Sequence, residues 1–192
     1  MTWVWLGVLC YAIGSLPTAY LFTRYILDQD IWQIGDFNSG AANVFRNVGA
    51  KAGVVVGAID IIKGALVIVL AMVLVDDTRM EMMAGAAALA GHNLPVHLRF
   101  RGGRGAATAV GILIASVPII GLPIGALCLV LLYLTHKAIY PLVVFLVVIP
   151  VLTWSIGYPV ALAIYVVAIP IAVGLSHLFT TRIRNPGTAK NI

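Results

Sequence analysis

The residues best suited to chemistry lie in a glycine-rich segment, RFRGGRGAATAVG, at 99–111, where three arginines and four glycines precede an apolar run. Glycine lets backbone N–H groups approach an anion closely, and a helix start adds unpaired N–H groups and a positive dipole end. Arginine contributes paired donors that match phosphate. The pattern predicts a phosphate-binding loop that enters a helix near Ala106. A tight glycine turn between two helices is the alternative, and the Walker A motif is absent.

A second polar segment, GDFNSGAANVFRNVG at 35–49, concentrates Asp36, Asn38, Ser39, Asn43 and Arg46. Asn43 and Arg46 are three residues apart, so one helical face is able to present both side chains to a ligand. Ordinary solvated loop polarity explains the same composition equally well.

Two charges interrupt the apolar segment GAIDIIKGALVIVL: Asp60 and Lys63, again three residues apart. A charge inside a membrane costs a few kcal/mol on insertion scales, so such residues indicate function by default. We expect both side chains to face the interior of the helix bundle. Their role is either ligand binding or the docking of this helix against a neighbour.

His92 immediately precedes the glycine segment, and His177 lies near the end of the last apolar run. A single histidine at a membrane interface is more often a hydrogen-bonded packing residue than a catalytic group. The sequence shows neither metal-ligand spacing nor a G-x-S-x-G elbow. We therefore expect no metal, no cofactor and no serine-hydrolase mechanism.

The composition requires a membrane. Of 192 residues, 61% are hydrophobic and 10% are charged, and the mean hydropathy is +1.04, whereas roughly a quarter of residues are charged in a soluble domain. The apolar runs are continuous, which favours helices over the alternating strands of a membrane barrel. We predict an all-α integral membrane protein, with residues 1–192 forming a single polytopic domain whose first span is retained rather than cleaved. Cys10 and Cys128 lie in apolar runs and receive no function.

The hydropathy pattern predicts about seven transmembrane helices, several of them short or broken: 3–23, 53–75, 82–97, 106–118, 120–136, 139–156 and 158–178. Basic loops alternate with loops that are not basic. Ten of the twelve Lys and Arg residues fall on one side of this arrangement, including those of the tail after residue 178. By the positive-inside rule the N-terminus is outside and the C-terminus is cytoplasmic.

Several of these segments resemble the PlsY-type glycerol-3-phosphate acyltransferases, small bacterial membrane enzymes with seven spans. GDFNSGAANVFRNVGAKAG is similar to the family's first motif, G-S-G-N-x-G-A-T-N-x-x-R, and DIIKGAL follows at the family's spacing. GHNLPVHLRFRGGRGAAT is similar to its second motif, G-H-x-x-P-V-F-x-x-F-K-G-G-K-G-V-A-T. The resemblance extends from about Tyr11 to Gly111, and as a hydropathy pattern to the end of the chain.

The resemblance implies transfer of an acyl chain from acyl phosphate to the 1-hydroxyl of glycerol 3-phosphate in the bacterial cytoplasmic membrane, with release of inorganic phosphate. The second motif would surround the donor phosphoryl group, and the acyl tail would lie among membrane lipid. Nucleic acid has no part in this reaction. The implied catalytic residues are His92, Arg104 and His177. The substrate-binding candidates are Asn38, Ser39, Asn43, Arg46, Lys63, Arg101, Gly102, Gly103 and Gly105.

The chain also departs from the family pattern. Asp36 stands where a serine is usual, and a carboxylate is electrostatically unfavourable by about 1 kcal/mol or more where an anion must bind. Arg101 and Arg104 replace lysines, which keeps the charge and adds bidentate geometry. The third motif, H-R-x-N-I-x-R-L, is reduced to SHLFTTRIRNPG, in which His177 remains and Arg182 is a possible substitute for one basic position.

These departures leave two alternatives to an acyltransferase. One is a non-catalytic paralogue that serves as a lipid-binding or structural subunit of a membrane complex. The other is a small anion transporter, for which the Asp60–Lys63 pair is the only indication, since no inverted repeat is visible.

Overall fold

The computed structural model describes residues 2–184 and the side chains of residues 3–180. In this range the regular structure is helical, as predicted. Nine α-helices occur, with 3₁₀ turns at Ile31–Gln33 and Val96–Leu98: α1 Thr2–Gly14, α2 Thr18–Leu27, α3 Ala41–Asn47, α4 Ala50–Val75, α5 Thr78–Asn93, α6 Ala106–Ser116, α7 Pro118–Thr135, α8 Ile139–Ile156 and α9 Val160–Arg184.

Five segments of the described chain are long and apolar enough to cross a membrane: Trp3–Leu27, Ala50–Val75, Pro118–Thr135, Ile139–Ile156 and Val160–Thr180. The other two predicted spans correspond to α5 and α6, which have 16 and 11 residues and are shorter than the ~20 residues of a perpendicular span. The integral membrane class is confirmed. The count of seven and the orientation of the termini stay predictions.

The first predicted span, 3–23, is two helices rather than one. The chain breaks between Gly14 and Thr18, where Pro17 has no N–H to donate and restricts the residue before it. Leu16 and Pro17 lie outside both helices. The carbonyl group of Leu16 accepts from the Thr18 N–H at 3.0 Å and has a second lone pair for a side chain of another helix.

Glycines allow α4 and α6 to cross closely. A Cβ atom at Gly64 would overlap the backbone carbonyl of Thr108, and one at Gly111 would overlap the backbone carbonyl of Ile61. Apolar side chains supply little net attraction between helices in lipid, so small residues that permit close backbone contact are favoured there. This crossing fixes the start of α6 against the middle of α4.

Close contacts at glycines also join α1 to α5. Gly14 abuts the backbone of Ala88, and Gly91 abuts the carbonyl of Tyr11. The Tyr11 hydroxyl also donates to the Leu94 carbonyl at 2.6 Å and accepts from the Val96 N–H at 3.1 Å. The segment that leads from α5 into the glycine-rich loop is therefore attached to the end of α1.

The apolar side chains divide between a core and the outer surface. The buried core contains Ile68, Met80, Ile112 and Phe145, all with 2% or less of their surface exposed. Other large side chains, such as Ile119 at 80% exposure, face outward, as lipid-contacting residues do.

Candidate active site

The glycine-rich loop enters α6 as the sequence predicts. Gly105 has φ of +81°, a left-handed conformation that glycine adopts without strain, and α6 begins at Ala106. The first hydrogen bond of the helix runs from the Ala109 N–H to the Gly105 carbonyl at 2.8 Å. The N–H groups of residues 106–108 in this first turn are therefore available to an anion.

Gly102 and Gly103, which precede Gly105, lie close against the end of α5. The Gly103 N–H donates to the His92 carbonyl at 3.0 Å, so this amide is not available to a phosphate, and the part of the cradle prediction that used it is wrong. A Cβ atom at Gly102 would overlap the carbonyls of His92 and Asn93, and one at Gly103 would overlap the His92 ring. These glycines let the loop pack tightly on the end of α5.

Arg104 is the half-buried cation of this loop. Its Nε atom is buried and has no hydrogen-bond partner within the described part of the chain. Burial lowers the pKa of the Arg104 guanidinium; the Asp36 carboxylate opposes this shift and the Arg46 guanidinium adds to it. A partly desolvated cation with an unused donor favours an anionic ligand. Arg101, by contrast, is exposed.

Asn43 organises the first motif from inside. Its side-chain oxygen accepts from the Asp36 N–H at 3.0 Å and from Asn47 Nδ2 at 2.8 Å, while its Nδ2 donates to the carbonyls of Ile34 and Asn38, both at 2.9 Å. Asn43 is 1% exposed. Asn43 therefore points into the loop and fixes its shape, so its side-chain groups are already used within the motif.

Asp36 and Arg46 form an ion pair between the loop and α3. The side chains are 37% and 53% exposed, so solvent reaches both groups. The carboxylate that seemed unfavourable in an anion site is thus balanced by a guanidinium ten positions later in the chain. The pattern of residue types does not reveal this pairing, because it depends on how the 34–38 turn folds back on α3.

Asn38 and Ser39 are buried where the first motif meets the second. Asn38 is 5% exposed and its Oδ1 atom has no partner within the described residues. The backbone carbonyl of Ser39 faces Gly103, close enough to contact any side chain placed there. The two motifs are more than sixty positions apart in sequence and share one wall of the site.

Beneath the loops lies a buried polar network centred on Asp60. Its Oδ1 atom is 2.9 Å from Lys63 Nζ and accepts from the Thr18 hydroxyl at 2.7 Å. Lys63 Nζ also donates to the Leu16 carbonyl at 3.2 Å, at the break between α1 and α2. Both charges face the interior, as predicted. Lys63 is 3% exposed and joins α4 to this break, which supports the docking role.

His92 belongs to the same network. Its Nδ1 atom lies 3.2 Å from the Thr108 hydroxyl and 3.9 Å from Asp60 Oδ1. The ring packs on Gly103, and its own backbone carbonyl receives the Gly103 N–H. His92 is therefore placed to support the glycine-rich loop from below.

His177 reaches the site from α9. It is exposed, and it lies within electrostatic range of Arg104 and Asp36. The end of α9 thus meets the first two motifs, as the third motif would require. The side chain of Arg182 lies outside the described residues.

A groove of about 450 Å³ opens beside these groups. It is formed by three segments, and its residues are Trp32, Phe37, Asn93, Leu94, Phe100, Arg101, Ser176, Phe179 and Thr180. Trp32 Nε1 and Asn93 Oδ1 are buried without hydrogen-bond partners in the described range. The sequence analysis did not single out Trp32 or Asn93, since neither carries a charge or a spacing that indicates binding.

The arrangement can bind phosphorylated molecules. Two guanidinium groups, a histidine and the first turn of α6 supply positive charge and N–H donors, and the groove offers an apolar wall. Within the described residues, no group of three or more His, Cys, Asp or Glu side chains could hold a metal ion.

Comparison with known proteins agrees with this geometry. The family model described as glycerol-3-phosphate acyltransferase matches residues 4–185. Glycerol-3-phosphate acyltransferase 4 of Dehalococcoides mccartyi is 38% identical over 91% of this chain and 95% of its own. Glycerol-3-phosphate acyltransferase 1 of the same organism is 34% identical over 95% of this chain and 91% of its own.

Two crystal structures of PlsY (YgiH), described as an integral membrane glycerol 3-phosphate acyltransferase, share the fold at 25% identity. The glycerol 3-phosphate form has a TM-score of 0.82 and covers 99% of this chain and 98% of that one. The lysophosphatidic acid form has a TM-score of 0.78 and covers 95% and 92%. All of these relatives are acyltransferases, so they lend no support to a structural paralogue or a transporter. The chain belongs to the glycerol-3-phosphate acyltransferase family.

Proposed function

We propose that this protein transfers an acyl chain from an acyl phosphate to the 1-hydroxyl of glycerol 3-phosphate, forming lysophosphatidic acid and inorganic phosphate in the bacterial cytoplasmic membrane. The observation that carries the proposal is that Arg104 lies within electrostatic range of both Arg46 and His177, which come from two distant segments. The groove beside them is lined by their neighbours in sequence, among them Phe37, Arg101 and Ser176. Both substrates carry phosphate, and the site offers two separate guanidinium groups.

The donor phosphoryl group is assigned to the glycine-rich loop. The first-turn N–H groups of α6 and the half-buried Arg104 would stabilise the charge that grows on the departing phosphate. The apolar side chains of the groove, Phe37, Leu94, Phe100 and Phe179, are suited to the first part of the acyl chain, with the remainder in lipid.

The acceptor is assigned to Arg46, which is exposed and lies on a separate element. Acyl phosphate is already activated, so no covalent enzyme intermediate is needed. The 1-hydroxyl oxygen attacks the acyl carbonyl carbon, the bond from that carbon to the phosphate oxygen breaks, and phosphate leaves with the electron pair. The hydroxyl proton passes to His177 or to a phosphate oxygen of a substrate.

We assign His92 a positioning role instead of the catalytic role that the resemblance implies. His92 is 8% exposed, and its Nδ1 atom is within hydrogen-bond distance of the Thr108 hydroxyl, beneath the glycine-rich loop. A buried, hydrogen-bonded imidazole is better suited to positioning the glycine-rich loop than to meeting a freely diffusing acceptor. We assign proton transfer to His177 and loop positioning to His92.

The decisive experiment measures phosphate release from a long-chain acyl phosphate by the purified protein in lipid vesicles. We expect release that requires glycerol 3-phosphate and is matched by lysophosphatidic acid. Glycerol, which lacks the phosphate, serves as the control acceptor. Release that does not depend on the acceptor, or no release from a folded protein, would contradict the proposal.

A further inference from the structure

The backbone of Asp36 is held in place by its neighbours. The Asp36 N–H donates to Asn43 Oδ1 at 3.0 Å, and the Phe37 N–H donates to the Ile34 carbonyl at 3.1 Å. Gly35 and Phe37 have φ of +56° and +52°, which closes the turn. The first bond uses the backbone of Asp36 and the second closes the turn around it, and neither involves the Asp36 carboxylate.

That carboxylate lies among the groups assigned to the reaction. It pairs with Arg46, and its charge also acts on Arg104 and His177. Both members of the pair are exposed to solvent, so the pair is able to open. Arg46 therefore already has an anionic partner before any ligand arrives.

We propose that Asp36 is an internal counter-ion that occupies Arg46 in the empty site and competes with the phosphate of the acceptor. The inference rests on the proposed function, in which Arg46 binds that phosphate. The Asp36 carboxylate occupies Nη2 of Arg46, so a phosphate that binds bidentately through this nitrogen must displace Asp36. Asp36 thereby weakens the binding of glycerol 3-phosphate relative to a site in which Arg46 has no carboxylate partner.

The test uses Asp36→Ser and Asp36→Asn, which remove the charge and keep the backbone bonds of the turn. An exposed ion pair has a modest strength, so we expect the KM for glycerol 3-phosphate to fall about two- to fivefold. This change should exceed any change in kcat or in the KM for acyl phosphate, because the direct ion pair of Asp36 is with Arg46. The difference from the wild type should shrink at high ionic strength, where exposed charges are screened.

Asp28→Asn is the matched control. Asp28 also forms an exposed ion pair, with Arg24 at 3.4 Å, but at the end of α2 and outside the site. This variant removes the same charge, and the KM for glycerol 3-phosphate should not change. An equal decrease in both variants would show a general effect of net charge and would overturn the proposal.

Two further kinetic results would also overturn it. A higher KM in the Asp36 variants would mean that Asp36 orients Arg46 rather than competing for it. A collapse of kcat in Asp36→Asn at unchanged KM would mean that Asp36 accepts the hydroxyl proton.

Direct binding separates this inference from the proposed function. Calorimetric titration with glycerol 3-phosphate requires no turnover, and Asp36→Ser should bind it about two- to fivefold more tightly than the wild type. Tighter binding by the variant in a protein that uses no acyl phosphate would uphold the counter-ion and refute the acyltransferase. If Asp36→Ser and the wild type bound glycerol 3-phosphate equally and the protein turned over acyl phosphate, the counter-ion would be refuted and the acyltransferase upheld.

Discussion

The Asp60 carboxylate and the Lys63 ammonium lie 2.9 Å apart with 3% or less of either side chain exposed. Removing one partner leaves an uncompensated buried charge, which costs about 3–5 kcal/mol, whereas replacing both by apolar residues is often neutral. We expect Lys63→Met and Asp60→Leu each to lower the unfolding temperature strongly. The double variant should recover most of the loss, and thermal unfolding in detergent measures this. Additive losses would show that the two charges do not act as a pair.

The crossing of α4 and α6 makes a second prediction. Gly111→Ala places a methyl group on the Ile61 carbonyl, and such overpacking typically costs about 1–3 kcal/mol. Gly57→Ala on α4 is the control, because its Cβ would make an ordinary contact with Ala41 at 3.5 Å. We expect Gly111→Ala to lower the unfolding temperature and Gly57→Ala to leave it unchanged or raise it. Equal behaviour of the two variants would contradict the close crossing.

Gly103→Ala tests the support of the glycine-rich loop by His92. The added methyl group would displace the His92 ring or the loop, and a misplacement of about 1 Å near the reacting groups can cost about 100-fold in rate. We expect a large loss of kcat. Gly174→Ala, where nothing lies within 4 Å of the new Cβ, is the control and should retain activity. An active Gly103→Ala variant would show that the loop is not held by this contact.

Local patterns predicted a large part of this structure. The continuous apolar runs indicated membrane helices, the cost of intramembrane charge indicated that Asp60 and Lys63 face inward, and the glycine-to-apolar transition located the start of α6. Each of these inferences depends on the chemistry of one short segment. The motifs likewise indicated the family, because they are long contiguous strings.

The details that sequence analysis missed depend on contacts between segments. Nothing near Asp36 indicates that Arg46 is its partner, and nothing near Gly103 indicates that its N–H bonds to His92. The break after α1 lies inside an apolar run, so hydropathy does not report it. Thr18, a member of the buried network, lies at the start of α2, and the hydropathy pattern predicted α1 and α2 as one span. The groove requires the end of α9 to meet two loops, which is a property of the tertiary fold alone.

The orientation of the chain is open to direct measurement. The loop charges predict that the segment between α4 and α5 lies outside and that the segment between α7 and α8 is cytoplasmic. A membrane-impermeant thiol reagent should label Thr78→Cys in intact cells, and Lys137→Cys only after the membrane is opened. The native Cys10 and Cys128 are 0% and 8% exposed, so they give little background. The reverse labelling pattern would show the opposite orientation.

The final prediction separates the two arginines. Arg104 adjoins the first turn of α6 and is assigned to the donor, whereas Arg46 lies on α3 and is assigned to the acceptor. Loss of a hydrogen bond to a charged group costs about 1.5–3 kcal/mol, or roughly 10- to 150-fold. Arg104→Ala should therefore weaken use of acyl phosphate, and Arg46→Ala use of glycerol 3-phosphate, in steady-state kinetics that vary each substrate.

Lysine variants refine this test, because the family pattern usually has lysine at the position of Arg104 and arginine at that of Arg46. Arg104→Lys keeps the charge beside the N–H groups of α6, so we expect it to retain most of the activity. Arg46→Lys loses the planar fork that binds a phosphate through two parallel hydrogen bonds, so the KM for glycerol 3-phosphate should rise. If Arg104→Ala and Arg46→Ala both weakened use of the same substrate to the same extent, the two guanidinium groups would bind one phosphate. The assignment of separate sites would then be wrong.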